Sequence, residues 1–235
     1  METLRALTSR HGVLRYRSTP VEPEKIAQVL RAAVSAPSTA NTQPWEFVVV
    51  TEARIARRVA EYLVRAQEEF VFRRLLGTPE AFIDRLMGLY GELANASCFI
   101  VLCRHQRAQL AAPEYASVVR DWDLCSLGAA MANLMAAATD LGLGTRWFGS
   151  PMMDEGESPL KQLLAIPDRV EVIAVTPLGY HDEPPKERPA QPLEAITGFR
   201  RGDAARLAAL LDGKLALADV VHYNAYADNR RTEPV

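Results

Sequence analysis

The sequence predicts an α+β fold, in which short apolar strands alternate with helices, and three observations carry that prediction. Trp45–Val50, Cys98–Leu102 and Val170–Thr176 are brief runs rich in branched and aromatic side chains, bounded by polar or turn-forming residues, and read as strands. Amphipathic or alanine-rich stretches of helical length lie between them. No Gly/Ser-rich or Pro-rich linker and no repeat divides the 235 residues. One domain over 1–235 is therefore expected, with a C-terminal arm from about 213.

Each element has its own signal. Glu22-Pro23-Glu24 opens a helix whose apolar face is Ile26, Val29, Leu30 and Val34, with acids in the first turn where the helix dipole favours them. The polar loop from Ala36 to Pro44 then runs into the first strand. A charged helix is expected from about Ala53 to Leu76, and another from about Pro79 to Asn95. From about Val118 to Leu141 the many alanines, with Ser126 and Gly128, predict a buried, low-profile helix. It closes at Leu141-Gly142-Leu143-Gly144, where glycine is the expected helix stop. Gly149 stands differently, since a glycine beside Trp147 and Phe148 lets the main chain approach a flat ring closely. The tail from Val220 to Arg231 is aromatic yet polar, and reads either as an arm wrapping a second copy or as a loose terminus.

Composition excludes several functions. With 27 basic against 29 acidic residues and 49% apolar content, the chain lacks the single-sign field of a dedicated nucleic-acid or membrane-surface binder. Small-molecule partners are expected. No apolar run reaches the ~18 residues of a membrane span, and the first residues lack a signal-peptide core, so a cytoplasmic protein is expected. Cys98, Cys103 and Cys125 are expected to be buried free thiols. His11, His105, His181 and His222 have no metal-ligand spacing, so no zinc site is expected. There is no G-x-G-x-x-G and no nucleophile elbow, so neither a Rossmann dinucleotide site nor a protein nucleophile is expected, and no side chain is assigned a catalytic role.

The most informative stretch is Ala36-Pro37-Ser38-Thr39-Ala40-Asn41-Thr42-Gln43-Pro44-Trp45. Its hydroxyls and amides supply donors and acceptors, two prolines stiffen it, and Trp45 offers a face to pack beneath. It resembles, without a gap, the AP-S-x-x-N-x-Q-P-W signature of the FMN-dependent nitroreductase family. Two further segments share the resemblance: Arg10-His11-Gly12 with Lys186-Glu187-Arg188, and Trp147-Phe148-Gly149-Ser150. The resemblance implies a central mixed sheet flanked by helices, and a homodimer with FMN at the subunit interface, much of it formed by the central helix. It also implies that Arg10, Lys186 and Arg188 converge on the FMN phosphate, that the Trp147–Ser150 backbone lies over the flavin near N5, and that Pro37, Ser38, Thr39 and Asn41 join His11 and Gly12 as cofactor contacts. Taken without the resemblance, both basic clusters read equally as solvated surface charge.

The implied reaction is ping-pong: NAD(P)H reduces FMN and leaves, and a nitroaromatic, quinone or related acceptor takes its place. Alternatives on the same fold are reductive dehalogenation and flavin fragmentation, which Asn41-Thr42-Gln43 disfavours; an alternative of another class is a non-catalytic flavin-binding sensor. The chain departs from the family at Gly12, where a serine is usual, and at Leu14, where a Lys or Arg faces the flavin's pyrimidine edge; Arg15 or Arg17 are the candidate replacements. Residues 70 to 90, rich in aromatics and arginines, read as a substrate lid or as an amphipathic surface helix.

Overall fold

A computed structural model describes residues 3–105, 111–153, 158–183, 190–191, 201–203 and 214–215. The expected phosphate ligands Lys186 and Arg188, and the tail with its Tyr223 and Tyr226, lie outside the described residues. After the helix α1 (Thr3–Ser9), α2 (Pro23–Val34) starts with Pro23 in its first turn, and buries Ile26, Val29 and Ala33. Pro there loses only an N–H that has no helical partner. Val34, expected on the buried face, is 45% exposed, because the buried stripe runs through Ile26, Val29 and Ala33 and Val34 lies to one side of it.

The central sheet comprises β1 (Trp45–Val50), β2 (Cys98–Arg104), β3 (Gly144–Thr145) and β4 (Glu171–Gly179) in the order β1-β2-β4-β3. The pairs β1–β2, β2–β4 and β3–β4 are all antiparallel, so among the described strands the central sheet is antiparallel rather than mixed. Parallel pairing among the described residues is limited to the isolated bridge Gly12–Thr145 and the short pair β5 (Ala190–Gln191) and β6 (Lys214–Leu215). The reason is directional: successive strands of the sheet enter from opposite ends, which is the antiparallel arrangement.

All seven residues of β2 are buried, and their alternation serves two cores. Cys98, Ile100 and Leu102 face the layer of α2 and α5 (Ala116–Asp140); Phe99, Val101 and Cys103 face the layer of α3 (Ala53–Ala66) and α6 (Pro159–Leu164). Period-two side-chain placement makes one strand the partition between both cores. Burial pushes the Cys98 and Cys103 thiols up to about 12. Cys125 is free but exposed, contrary to expectation, because it lies on the outward face of α5.

The expected helix from 53 to 76 is continuous but changes winding. α3 gives way at Gln67 to a wider π-type turn through Leu75, closed by the Leu76 amide on the Val71 carbonyl at 2.8 Å. Glu68–Arg73 and Glu69–Arg74, each five residues apart, pair at 2.8 Å across this wider turn. The expected helix from 79 to 95 is shorter: α4 covers Glu80–Gly88, and a turn leads to a single 3₁₀ turn at Leu93–Asn95.

Candidate functional site

Gly144 brings the N-terminal segment and β3 into register. Gly12 bridges Thr145, and the Val13 amide donates to the Thr145 carbonyl at 2.9 Å. A Cβ on Gly144 would stand 2.7 Å from the His181 ring and 2.9 Å from Val13, so only glycine allows this close passage. Gly142, by contrast, is the expected helix stop: its φ is +74° and open space surrounds it. The Leu143 amide reaches the Ala138 carbonyl at 2.8 Å and the Gly142 amide reaches Thr139 at 3.1 Å, the paired bonds of a Schellman end.

Beside this seam, His11, Val13, Thr139, Leu143, Thr145 and His181 line a cavity of about 250 Å³. The His11 and His181 rings meet edge to face at 5.8 Å. His11 Nε2, His181 Nδ1 and Thr145 Oγ1 are buried without a hydrogen-bond partner among the described residues. Desolvation, with the neighbouring His11 second, lowers the His181 pKa and keeps that imidazole neutral. Arg10 is partly buried at the entrance to this segment.

The turn after β3 divides its side chains between core and surface. Phe148 is 1% exposed, and its amide and carbonyl both pair with Val175 at 2.9 Å. Its ring therefore belongs to the core, and only its backbone runs along the turn. Trp147 is 42% exposed. At Gly149 an added Cβ would meet only the Trp147 ring, at 3.7 Å, so nothing within the described residues demands glycine there. Ser150 is 2% exposed, yet its hydroxyl has no partner among the described residues. Buried hydroxyls normally find a partner, and those of Thr78, Thr145 and Ser158 also have none among the described residues.

The Ala36–Pro44 loop stores backbone strain. Ala40, Asn41 and Gln43 have φ of 47°, 56° and 48°, a left-handed region that non-glycine residues enter at a cost of about 1–3 kcal/mol each. Ser38 secures it, accepting the Gln43 amide at 3.0 Å on its hydroxyl and the Asn41 amide at 3.0 Å on its carbonyl. Trp45 is 5% exposed and packs beneath, as expected, while Pro37 and Asn41 face solvent.

The structure joins two of the three motif segments and separates the third. Residues 10–12 and 147–150 flank β3, at one edge of the sheet. The polar loop feeds β1 at the other edge, about 14 Å away at ~4.8 Å per strand. It docks on α5 through the Thr39 amide and the Ser126 hydroxyl at 3.4 Å, about 20 Å along that helix from Thr139 at ~1.5 Å per residue.

Two site residues escaped sequence reasoning. Arg146 lies over Gly12, where a Cβ would approach its Nη1 to 3.2 Å, and its Nη2 donates to the Tyr90 hydroxyl at 3.3 Å. Arg15 and Arg17, the candidate replacements for Leu14, are both exposed, and Arg17 pairs with Asp182. The glycine in place of serine at position 12 was the one sequence signal that something else fills this space.

Compared with known proteins, residues 7–180 match the Nitroreductase family. An Archaeoglobus fulgidus protein named "Putative NADH dehydrogenase/NAD(P)H nitroreductase" is 31% identical over 179 residues, covering 76% of this chain and 85% of its own. The iodotyrosine deiodinase of Nematostella vectensis is 28% identical over 186 residues, 76% of this chain and 67% of that protein. Among solved structures, the NADPH:FMN oxidoreductase of Vibrio harveyi complexed with NAD⁺ has the same fold, with a TM-score of 0.59 at 16% identity over 88% of this chain and 82% of that one. No helix among the described residues is long and apolar enough to cross a membrane.

Proposed function

This chain belongs to the nitroreductase family and is an NAD(P)H-dependent oxidoreductase; from that premise we propose that it binds one FMN per subunit, between two copies, and passes electrons to nitroaromatic or quinone acceptors. The observation that carries the reading is the turn at Gly149-Ser150. There an open glycine backbone and a buried, partnerless hydroxyl lie side by side, an edge suited to the heteroatom rim of a flat ring.

Flavin, when bound, supplies hydride chemistry that no side chain here could. Arg10, with Lys186 and Arg188, would hold the phosphate by charge-assisted hydrogen bonds. His11 and Gly12 would carry the adjoining backbone; Trp147, Gly149 and Ser150 would present main-chain donors to the ring, while Phe148, whose own amide is held by Val175, would anchor that turn to the core. Pro37, Ser38, Thr39 and Asn41 sit too far away in the same chain to join them, so they would serve the site of a second copy. Support for that copy comes from α5, where Val118, Trp122, Cys125 and Ala132 are exposed in a stripe at helical spacing, following exposed Tyr115. A single domain with a C-terminal arm from about 213, in the cytoplasm, completes the reading.

A second reading, reductive dehalogenation of a halophenol, is favoured by the likeness to the deiodinase. Steady-state NAD(P)H oxidation separates the two. The proposed function predicts turnover with quinones and nitroaromatics far above that with a halotyrosine. Faster reductive release of halide than of nitro or quinone reduction would contradict it, and NAD(P)H oxidation with none of these acceptors would remove both.

A further inference from the structure

Resting on the FMN reading above, we propose that Arg146 is the fixed cation that stabilises the reduced cofactor, a role carried by no residue at position 14, 15 or 17. Its guanidinium carbon lies 5.5 Å from the Tyr90 ring centre and 5.7 Å from that of Phe148, within cation–π range of both. The hydrogen bond to Tyr90 fixes the fork from a third direction. Among the described residues no carboxylate pairs with it, although the side chain is only partly exposed. The nearby acid Glu183 is otherwise engaged, accepting the Leu14 and Arg15 amides at 3.3 Å and standing 3.8 Å from His11 Nε2.

A partly buried cation with no counter-ion among the described residues carries a desolvation cost that an anionic ligand relieves. Arg146 holds its charge at the seam between residues 10–12 and 147–150, the two segments proposed to touch the cofactor in one subunit. Gly12 leaves the room it occupies. Hydride transfer from NAD(P)H, which leaves as NAD(P)⁺, delivers two electrons and one proton, so the flavin gains one net negative charge. A preorganised cation in this partly buried seam favours that charged state over the neutral oxidised one. Tyr90, at the end of the 70–90 segment, and Phe148 are positioning residues that hold the guanidinium.

The test is the affinity of the apo-protein for oxidised FMN together with the midpoint potential of the bound flavin, in wild type, Arg146→Gln and Arg146→Lys. Arg146→Gln is expected to weaken the reduced cofactor about tenfold more than the oxidised one, which lowers the two-electron potential by about 30 mV. Arg146→Lys, which keeps the charge, should recover most of that shift. Gly12→Val keeps the arginine but fills its space, and should move the potential the same way, which keeps the test open if Arg146→Gln does not fold. Wild-type potentials in Arg146→Gln, or in Gly12→Val where only that variant folds, would overturn the role of Arg146 alone. A wild-type protein that binds no FMN would overturn the FMN reading and this inference with it.

Discussion

Arg104 at the end of β2 is held from two sides, and the two sides differ in what they contribute. Its guanidinium meets Asp123 of α5 at 2.8 Å, both side chains being at least nine-tenths buried, and Glu171 of β4 at 3.0 Å. Glu171 also takes Arg120 at 3.1 Å and is 39% exposed. Removing Asp123 leaves the buried Arg104 charge only the partly exposed Glu171, so Asp123→Asn is expected to cost about 2–4 kcal/mol, a little under the loss of an isolated buried partner. Glu171→Gln, screened by solvent, should cost only about 0–1 kcal/mol. Denaturant unfolding of the two variants checks the order; equal losses would mean that the cluster is solvated. None of this was legible from sequence, because Arg104 and Asp123 are unremarkable charges until a strand and a helix bring them together. Arg146 and Tyr90 escaped for the same reason, being 56 residues apart in the chain. What was legible at this scale was the set of residues that form contiguous motifs.

At the scale of elements, strands were read well and helix ends less so. β1 matches its predicted bounds, and the continuous apolar runs of β2 and β4 marked both strands, which extend past the expected ends to Arg104 and Gly179. The helix expected from 79 to 95 broke early, because Gly88 and Gly91 bracket a turn and Tyr90 is drawn into the core. Gly142 and Gly144 looked alike in sequence, two glycines past a helix, yet one serves backbone conformation and the other close packing. That difference predicts an order. Gly142→Ala forces an alanine into φ of +74° with free space around it and should cost about 1 kcal/mol. Gly144→Ala drives a Cβ into Val13 and His181 and should cost more, about 1–3 kcal/mol or above. Thermal unfolding of both variants gives the comparison; a Gly144→Ala protein as stable as wild type would show that the seam between residues 11–13 and β3 yields easily.

For the whole molecule, one chain carries the two motif regions proposed to bind flavin at opposite edges of its sheet. Sequence motifs singled out both regions but not their separation, since spacing along a chain says nothing of which edge each loop reaches. That separation, with the apolar stripe on α5, motivates the proposed two-copy flavin site. Sedimentation velocity of the purified protein, followed at the flavin absorbance, tests it. The flavin signal is expected to travel with a species of twice the chain mass, and Trp122→Glu, which places a charge on the α5 stripe, is expected to shift protein to the monomer and release the flavin. Flavin sedimenting with a monomer, or no flavin signal in any species after incubation with FMN, would contradict it.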